Sequence, residues 1–284
     1  MPTGELPDPL DSTSPAPYLL PPTEGPGRQI APLGAGAPWR WLARGWRDMR
    51  ASTAIALFYG LCFWLMALLL VLVFRSKPQY VMSIASGCLL VGPFLAMGLY
   101  EVSRRREAGL VPDLASSLTC WDARLRSVGL LVLVLIVLEL VWGRASLVVF
   151  AVFFNTGMPS TTGVVKAVFN PQNWEFIAVY LAVGGVFAAL VYAIAVVSIP
   201  MVLDRDTDAI TAAITSIQVV AANPGVMLLW GAVISVMVAL ALLPWGLGLV
   251  LVGPWLGHAS WHAYRGAVVW SPALAPPASS AAGR

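Results

Sequence analysis

The chain has 284 residues, of which 58% are apolar and only 11% charged, with a net charge of +3 and a mean hydropathy of +0.79. A water-soluble domain carries roughly a quarter charged residues, so this composition points to lipid as the solvent and offers nothing for nucleic acid. The three cysteines, Cys62, Cys88 and Cys120, form no C-x-x-C pair, which argues against a disulfide framework or a thiolate metal site.

The first 38 residues hold ten prolines and five glycines without an apolar run. They lack the hydrophobic region of a cleavable signal peptide, so insertion is expected to depend on the first span. This tail, and the Pro/Ala/Ser segment 270–284, lack burying surface to offset ordering entropy and are expected to be disordered.

Between them, six stretches reach the roughly 20 apolar residues that a bilayer crossing needs. They run over 51–74, 80–102, 127–150, 174–203, 224–243 and 245–264. The last two are divided only by Leu243, Pro244, Trp245 and Gly246, which predicts a tight helical hairpin. Lys and Arg fall thirteen on one side of these spans and four, Arg75, Lys77, Arg144 and Lys166, on the other. By the positive-inside rule both termini are cytoplasmic.

Three inside segments are amphipathic and each precedes a hairpin. Trp39, Leu42, Trp46 and Met49 alternate with arginines; Leu114, Leu118, Trp121 and Leu125 repeat the spacing, as do Ile210, Ile214, Ile217 and Ala221 after a cap at Asp206 or Thr207. Such helices either lie in the cytoplasmic membrane interface or pack on the bundle's inner face.

The chain also resembles itself. Residues 87–95 (GCLLVGPFL) match 248–256 (GLVLVGPWL) at six of nine positions. Tyr100 and Trp261 follow the two prolines by seven residues, Arg104 and Arg265 by eleven, and Tyr59-Gly60 corresponds to Trp230-Gly231. The expected fold is therefore an all-α polytopic bundle of three hairpin repeats, about 39–108, 113–205 and 207–266, related by a pseudo-threefold axis along the membrane normal. Pro93, Pro200 and Pro254 are expected to kink spans two, four and six.

The motifs LVGP at 90–93, YEVSRR at 100–105, SIPM at 198–201 with Asp204-Arg205, and GHASWHAYR at 257–265 resemble a bacterial family of integral membrane proteins designated domain of unknown function 2189. The resemblance covers roughly 39–269 and implies a bacterial cytoplasmic (inner) membrane. Some family members bear the label cytochrome c oxidase subunit I-like. Two haems and a copper need about six histidines over several helices, whereas this chain has two, so it is not such a catalytic subunit.

Those two, His258 and His262, share one face of span six at i, i+4. Met97 and Glu101 occupy the equivalent positions of span two, so adjacent spans would assemble a four-ligand metal or haem set; the alternative is interfacial hydrogen bonding. Glu139 lies in the aliphatic third span with Arg144 five residues on, a costly placement that suits a proton-coupled carrier or a protonated packing residue. Gly184 and Ala188 offer a small-xxx-small step for close helix packing. Charged collars at 101–107 and 204–208 read as solvated ends or as an inner-face docking site. With no nucleotide-binding glycine loop, no Ser-His-Asp set and no H-E-x-x-H, the expectation is a non-enzymatic accessory or assembly component without an identified cofactor. Its expected partners are the lipid bilayer and other membrane proteins, respiratory-chain components among them. The alternatives are a small-solute or proton-coupled transporter using Glu139, and a metal- or haem-binding protein.

Overall fold

The computed structural model describes residues 27–76, 81–154, 170–243 and 245–270. Apart from short extended segments at Arg28–Ile30 and Val268–Trp270, the architecture is helical. The helices are α1 (Ala37–Ala51), α2 (Thr53–Ser76), α3 (Val81–Glu107), α4 (Leu114–Thr119), α5 (Leu125–Phe153), α6 (Trp174–Asp204), α7 (Ala209–Ala222), α8 (Pro224–Leu242) and α9 (Leu249–Ala267). All belong to one compact unit, Ile30–Val269.

Four described stretches are long and apolar enough to cross a membrane: Thr53–Ser76, Leu114–Phe153, Pro171–Asp204 and Pro224–Leu242. The six expected spans thus all fall on helices, but four of them meet that standard. In α9 the apolar run is cut short by Pro254, His258, His262 and Arg265. α3 is 27 residues long, roughly 40 Å at the α-helical rise.

The long helices expose what a soluble protein would hide. Leu57, Leu61, Leu65, Leu69 and Leu72 form an exposed stripe along α2, and α5, α6 and α8 show similar leucine and valine faces. Lipid tails tolerate this, because they are as apolar as leucine. Inside, α3, α6 and α9 pack pairwise against one another, α2 lies against α3 and α9, and α5 against α3 and α6. α8 lies beside α9, and the Tyr192 hydroxyl of α6 donates to the Met227 carbonyl of α8 at 2.7 Å.

The short helices follow one rule. Each packs on the last long helix of the preceding pair, in a closed cycle: α4 on α3, α7 on α6 and α1 on α9. The α1–α9 pairing is the most extensive in the molecule, and Gly45 permits it. A Cβ there would stand 2.6 Å from the Ala259 amide nitrogen, so the two backbones touch. Around that contact α1 buries Trp41, Leu42, Gly45, Asp48 and Met49, while Trp39 is 58% exposed. The buried face is therefore rotated from the expected Trp39, Leu42, Trp46, Met49 stripe, because the glycine decides which side can approach.

In α7 the apolar stripe is not the packed face. Ile210, Ile214 and Ile217 point outward, and the packed face is Ala209, Ala212, Thr215, Ser216 and Val219. Small residues let the helix lie close, and the Ser216 hydroxyl accepts from the Val197 amide of α6 at 3.1 Å. Its cap is Asp208, which accepts from the Thr211 amide, and not Asp206 or Thr207. The α4 segment breaks after Thr119 into a 3-10 turn over Asp122–Arg124, so the continuous amphipathic helix expected there is not formed.

The helix–turn between α8 and α9 is tight, with Trp245 at φ 55° and Gly246 at φ 72°. The strained Trp245 is held from both sides. Its carbonyl accepts from the Trp64 indole at 3.2 Å, and the Arg75 guanidinium lies 4.4 Å over its ring. Pro93, Pro200 and Pro254 all sit inside continuous helices. Gly184 receives the Trp142 ring of α5, with a closest Cβ approach of 3.0 Å, so its smallness serves an aromatic ring and not a backbone crossing.

The tail expected to stay disordered through residue 38 is fixed from Ala31. Its amide donates to the Ala267 carbonyl at 2.9 Å, and Asn223 clasps the Ala31 carbonyl and the Leu33 amide. An amide side chain thus supplies the partners that a proline-rich strand would otherwise lack. Residues 1–26 and 271–284, the rest of the expected tails, lie outside the described residues, as does the connector containing Lys166.

The α1–α9 contact is the packing feature most sensitive to a single methyl group. Gly45→Val should destabilise the purified protein by about 1 to 3 kcal/mol through overpacking, read as a lower unfolding midpoint in detergent. Gly129→Ala in α5, where a Cβ meets nothing within 4 Å, should be neutral or stabilising.

Candidate polar site at the arginine-rich end of the bundle

The residues that matter here come from three helices. Asp48 sits on the buried face of α1, about one turn from the chain's passage into α2. Ser103 and Arg106 lie on the last turns of α3, and His258 and His262 on the C-terminal half of α9. Because α1 crosses α9 so closely at Gly45, the next buried position along α1 delivers a carboxylate between α3 and α9.

Asp48 Oδ2 receives His262 Nε2 at 2.8 Å, and its Oδ1 receives Arg106 Nε at 3.0 Å. Ser103, fully buried, also hydrogen-bonds Asp48 and lies with its hydroxyl 2.8 Å from His258 Nδ1. Burial alone would raise the Asp48 pKa, but the hydrogen bonds from His262, Ser103 and Arg106 outweigh it and hold the carboxyl at about 2. An ionised carboxylate is an acceptor only. His262 Nε2 therefore carries the proton in that bond.

A second set of bonds continues around the same end. Glu107 of α3 accepts from the Trp261 indole at 3.0 Å and from Arg265 Nε at 3.3 Å, both on α9. Asp204, the last residue of α6, accepts from the Tyr264 hydroxyl at 2.7 Å and lies 3.6 Å from Arg265 Nη1. The ends of α3, α6 and α9 are thereby joined through Arg265. Arg124, at the start of α5, pairs with Asp206 at 2.8 Å.

The first network borders a cavity of about 340 Å³, lined by Arg44, Arg47 and Asp48 of α1, Ser103 and Arg106 of α3, and His262 of α9. Glu107 closes it on the α3 side. That size falls within the range of small-ligand pockets.

The four residues expected to form a metal set are separated by these bonds. His262 is taken by Asp48, His258 lies against Ser103, and Glu101 pairs with Arg104 of its own helix at 2.7 Å. Among the described residues no group of three or more His, Cys, Asp or Glu is placed to hold a metal ion. Met97 is fully buried, like His258 at the equivalent position. Glu139 is half-buried on α5 and Arg144 exposed, and neither lines the cavity.

Asp48 and Ser103 are the site residues that sequence reading missed. A signal existed for Asp48, which is the one acid between Glu24 and Glu101 and stands in an arginine-rich helix three residues from Gly45. Ser103 gave none.

Residues 80–204 match the family of predicted integral membrane proteins DUF2189. The match runs from α3 to the end of α6, and so includes Ser103, Arg106, Glu107 and Asp204. No curated protein and no solved structure matches the chain.

The depressed Asp48 carboxyl fixes a pH dependence. Its folded pKa lies below the ordinary value of 3.8, so the stability it contributes is complete above about pH 4 and is lost as pH falls toward about 2. Unfolding midpoints in detergent should fall more steeply across that window for the wild type than for Asp48→Asn, and parallel curves would contradict the network.

Proposed function

We propose that the chain is a six-span, non-enzymatic accessory or assembly component of the bacterial cytoplasmic membrane. Both termini face the cytoplasm, and the working surface is the cavity at the inner ends of α1, α3 and α9. The observation that carries the reading is the Asp48 network: ionisable groups from three helices are hydrogen-bonded to one another, at the arginine-rich end, around an open cavity. A catalytic centre leaves a nucleophile or base aimed at substrate, whereas here the acid is consumed in holding helices together.

Six spans are supported by where the helix ends meet. Trp245, before α9, lies against Arg75 at the end of α2, while Arg265 near the end of α9 lies against residues ending α3 and α6. A chain that meets itself at both ends in this alternation is one whose α3 and α9 run the length of the bundle. The repeat reading draws support from the closed cycle of α1, α4 and α7 on α9, α3 and α6. Tyr59 and Trp230, equivalent by sequence, each touch the next short helix in that cycle: Tyr59 hydrogen-bonds Ser117 of α4 at 3.0 Å, and Trp230 packs on Trp41 of α1 at 5.5 Å.

Two measurements test this. Reporter fusions at Lys166 and after Val269 should report opposite compartments, periplasm and cytoplasm, and the same compartment for both would overturn the topology. Affinity purification from native membranes should recover a discrete set of membrane proteins with the wild type, lose it with the Arg106→Gln variant and keep it with Glu139→Gln. Loss with Glu139→Gln alone would favour transport instead.

A further inference from the structure

We infer that the cavity between α1, α3 and α9 binds a phosphate-bearing anion, either the headgroup of an anionic phospholipid or a soluble phosphoryl group. This rests on the reading of that cavity as the working surface. The argument is one of unspent donors. Both carboxylates in the wall are already committed, Asp48 to His262 and Arg106 and Glu107 to Trp261 and Arg265. Neither pairs with Arg44 or Arg47, which line the same space on an exposed face of α1. Among the described residues neither arginine makes a carboxylate pair.

Arg106 spends its Nε on Asp48, and that bond fixes the plane of its guanidinium at the cavity wall. The lining therefore holds three guanidinium groups against two carboxylates, of which Glu107 is further offset by Arg265. Guanidinium forks are matched to phosphate oxygens in geometry and charge. The neighbouring carboxylate positions Arg106 and does not quench the whole site. A cavity of about 340 Å³ accepts a phosphoryl group with its substituent, and its place beside the arginine face of α1 is open to a membrane-borne or a dissolved ligand.

The test uses full-length protein in phosphatidylcholine nanodiscs, with and without phosphatidylglycerol. Inorganic phosphate is titrated by calorimetry in the neutral discs, and retained phosphatidylglycerol is measured by native mass spectrometry in the mixed ones. Arg44→Gln/Arg47→Gln should weaken at least one of these bindings by about tenfold or more. Arg40→Gln/Arg50→Gln, on the same helix with the same charge loss but outside the cavity, should leave it unchanged. Binding of phosphate in neutral discs identifies the soluble source, and retention of phosphatidylglycerol alone identifies the headgroup. No binding of either probe, or equal losses in the two double variants, overturns the inference. The proposed partner role is read separately, by copurification, and survives that result.

Discussion

A carboxylate buried among helices is expensive unless its oxygens are satisfied, and the cost of leaving Asp48 unsatisfied is what ties this bundle together at one end. Its two oxygens draw donors from both α3 and α9, so α1 cannot leave without stranding a charge. Breaking such a pair by removing one partner typically costs several kcal/mol. The ion pairs of Glu107 and Asp204 with Arg265 extend the same logic to α6. This end of the bundle is thus held by polar bonds.

Along the rest of the bundle the work falls to shape. Helices that gain nothing from hiding leucine must gain from close contact, and glycine positions provide it. Gly45 meets the Ala259 backbone, and a Cβ added at Gly253 would stand 2.7 Å from the Phe63 ring and one at Gly248 2.6 Å from the Cα of Ala241. Two of these three lie on α9 or its lead-in turn. That helix pays in apolar length for the room to receive α1, α2 and α8, and its polar C-terminal half is compensated by the Asp48 and Glu107 networks. Its weakness as an isolated membrane span and its central packing have one cause.

Much of the helical architecture was legible because hydropathy acts locally. The expected spans fall on helices, four of them long and apolar enough to cross a membrane, the turn at Trp245 was foreseen from four residues, and Tyr59 and Trp230 proved to be buried partners of the short helices. What sequence could not convey was facing. The periodicity of α1 was compatible with several neighbouring faces, and Gly45 chose among them. The isoleucine stripe of α7 suited either the membrane interface or the bundle, and alanine, threonine and serine took the packed face because they permit closer approach. At the site, the i, i+4 histidines were correctly read as sharing a face. Their separation onto Ser103 and Asp48 depended on which residues of α1 and α3 arrived opposite, a tertiary fact with no local trace.

The central claim is that Asp48 and His262 hold α1 to α9 by a direct bond. A double-mutant cycle over Asp48→Asn and His262→Gln, measured by reversible unfolding in one detergent, tests it most directly. The account predicts that the two substitutions are strongly non-additive, with a coupling of about 1 kcal/mol or more. Additive losses, within about 0.3 kcal/mol, would contradict it.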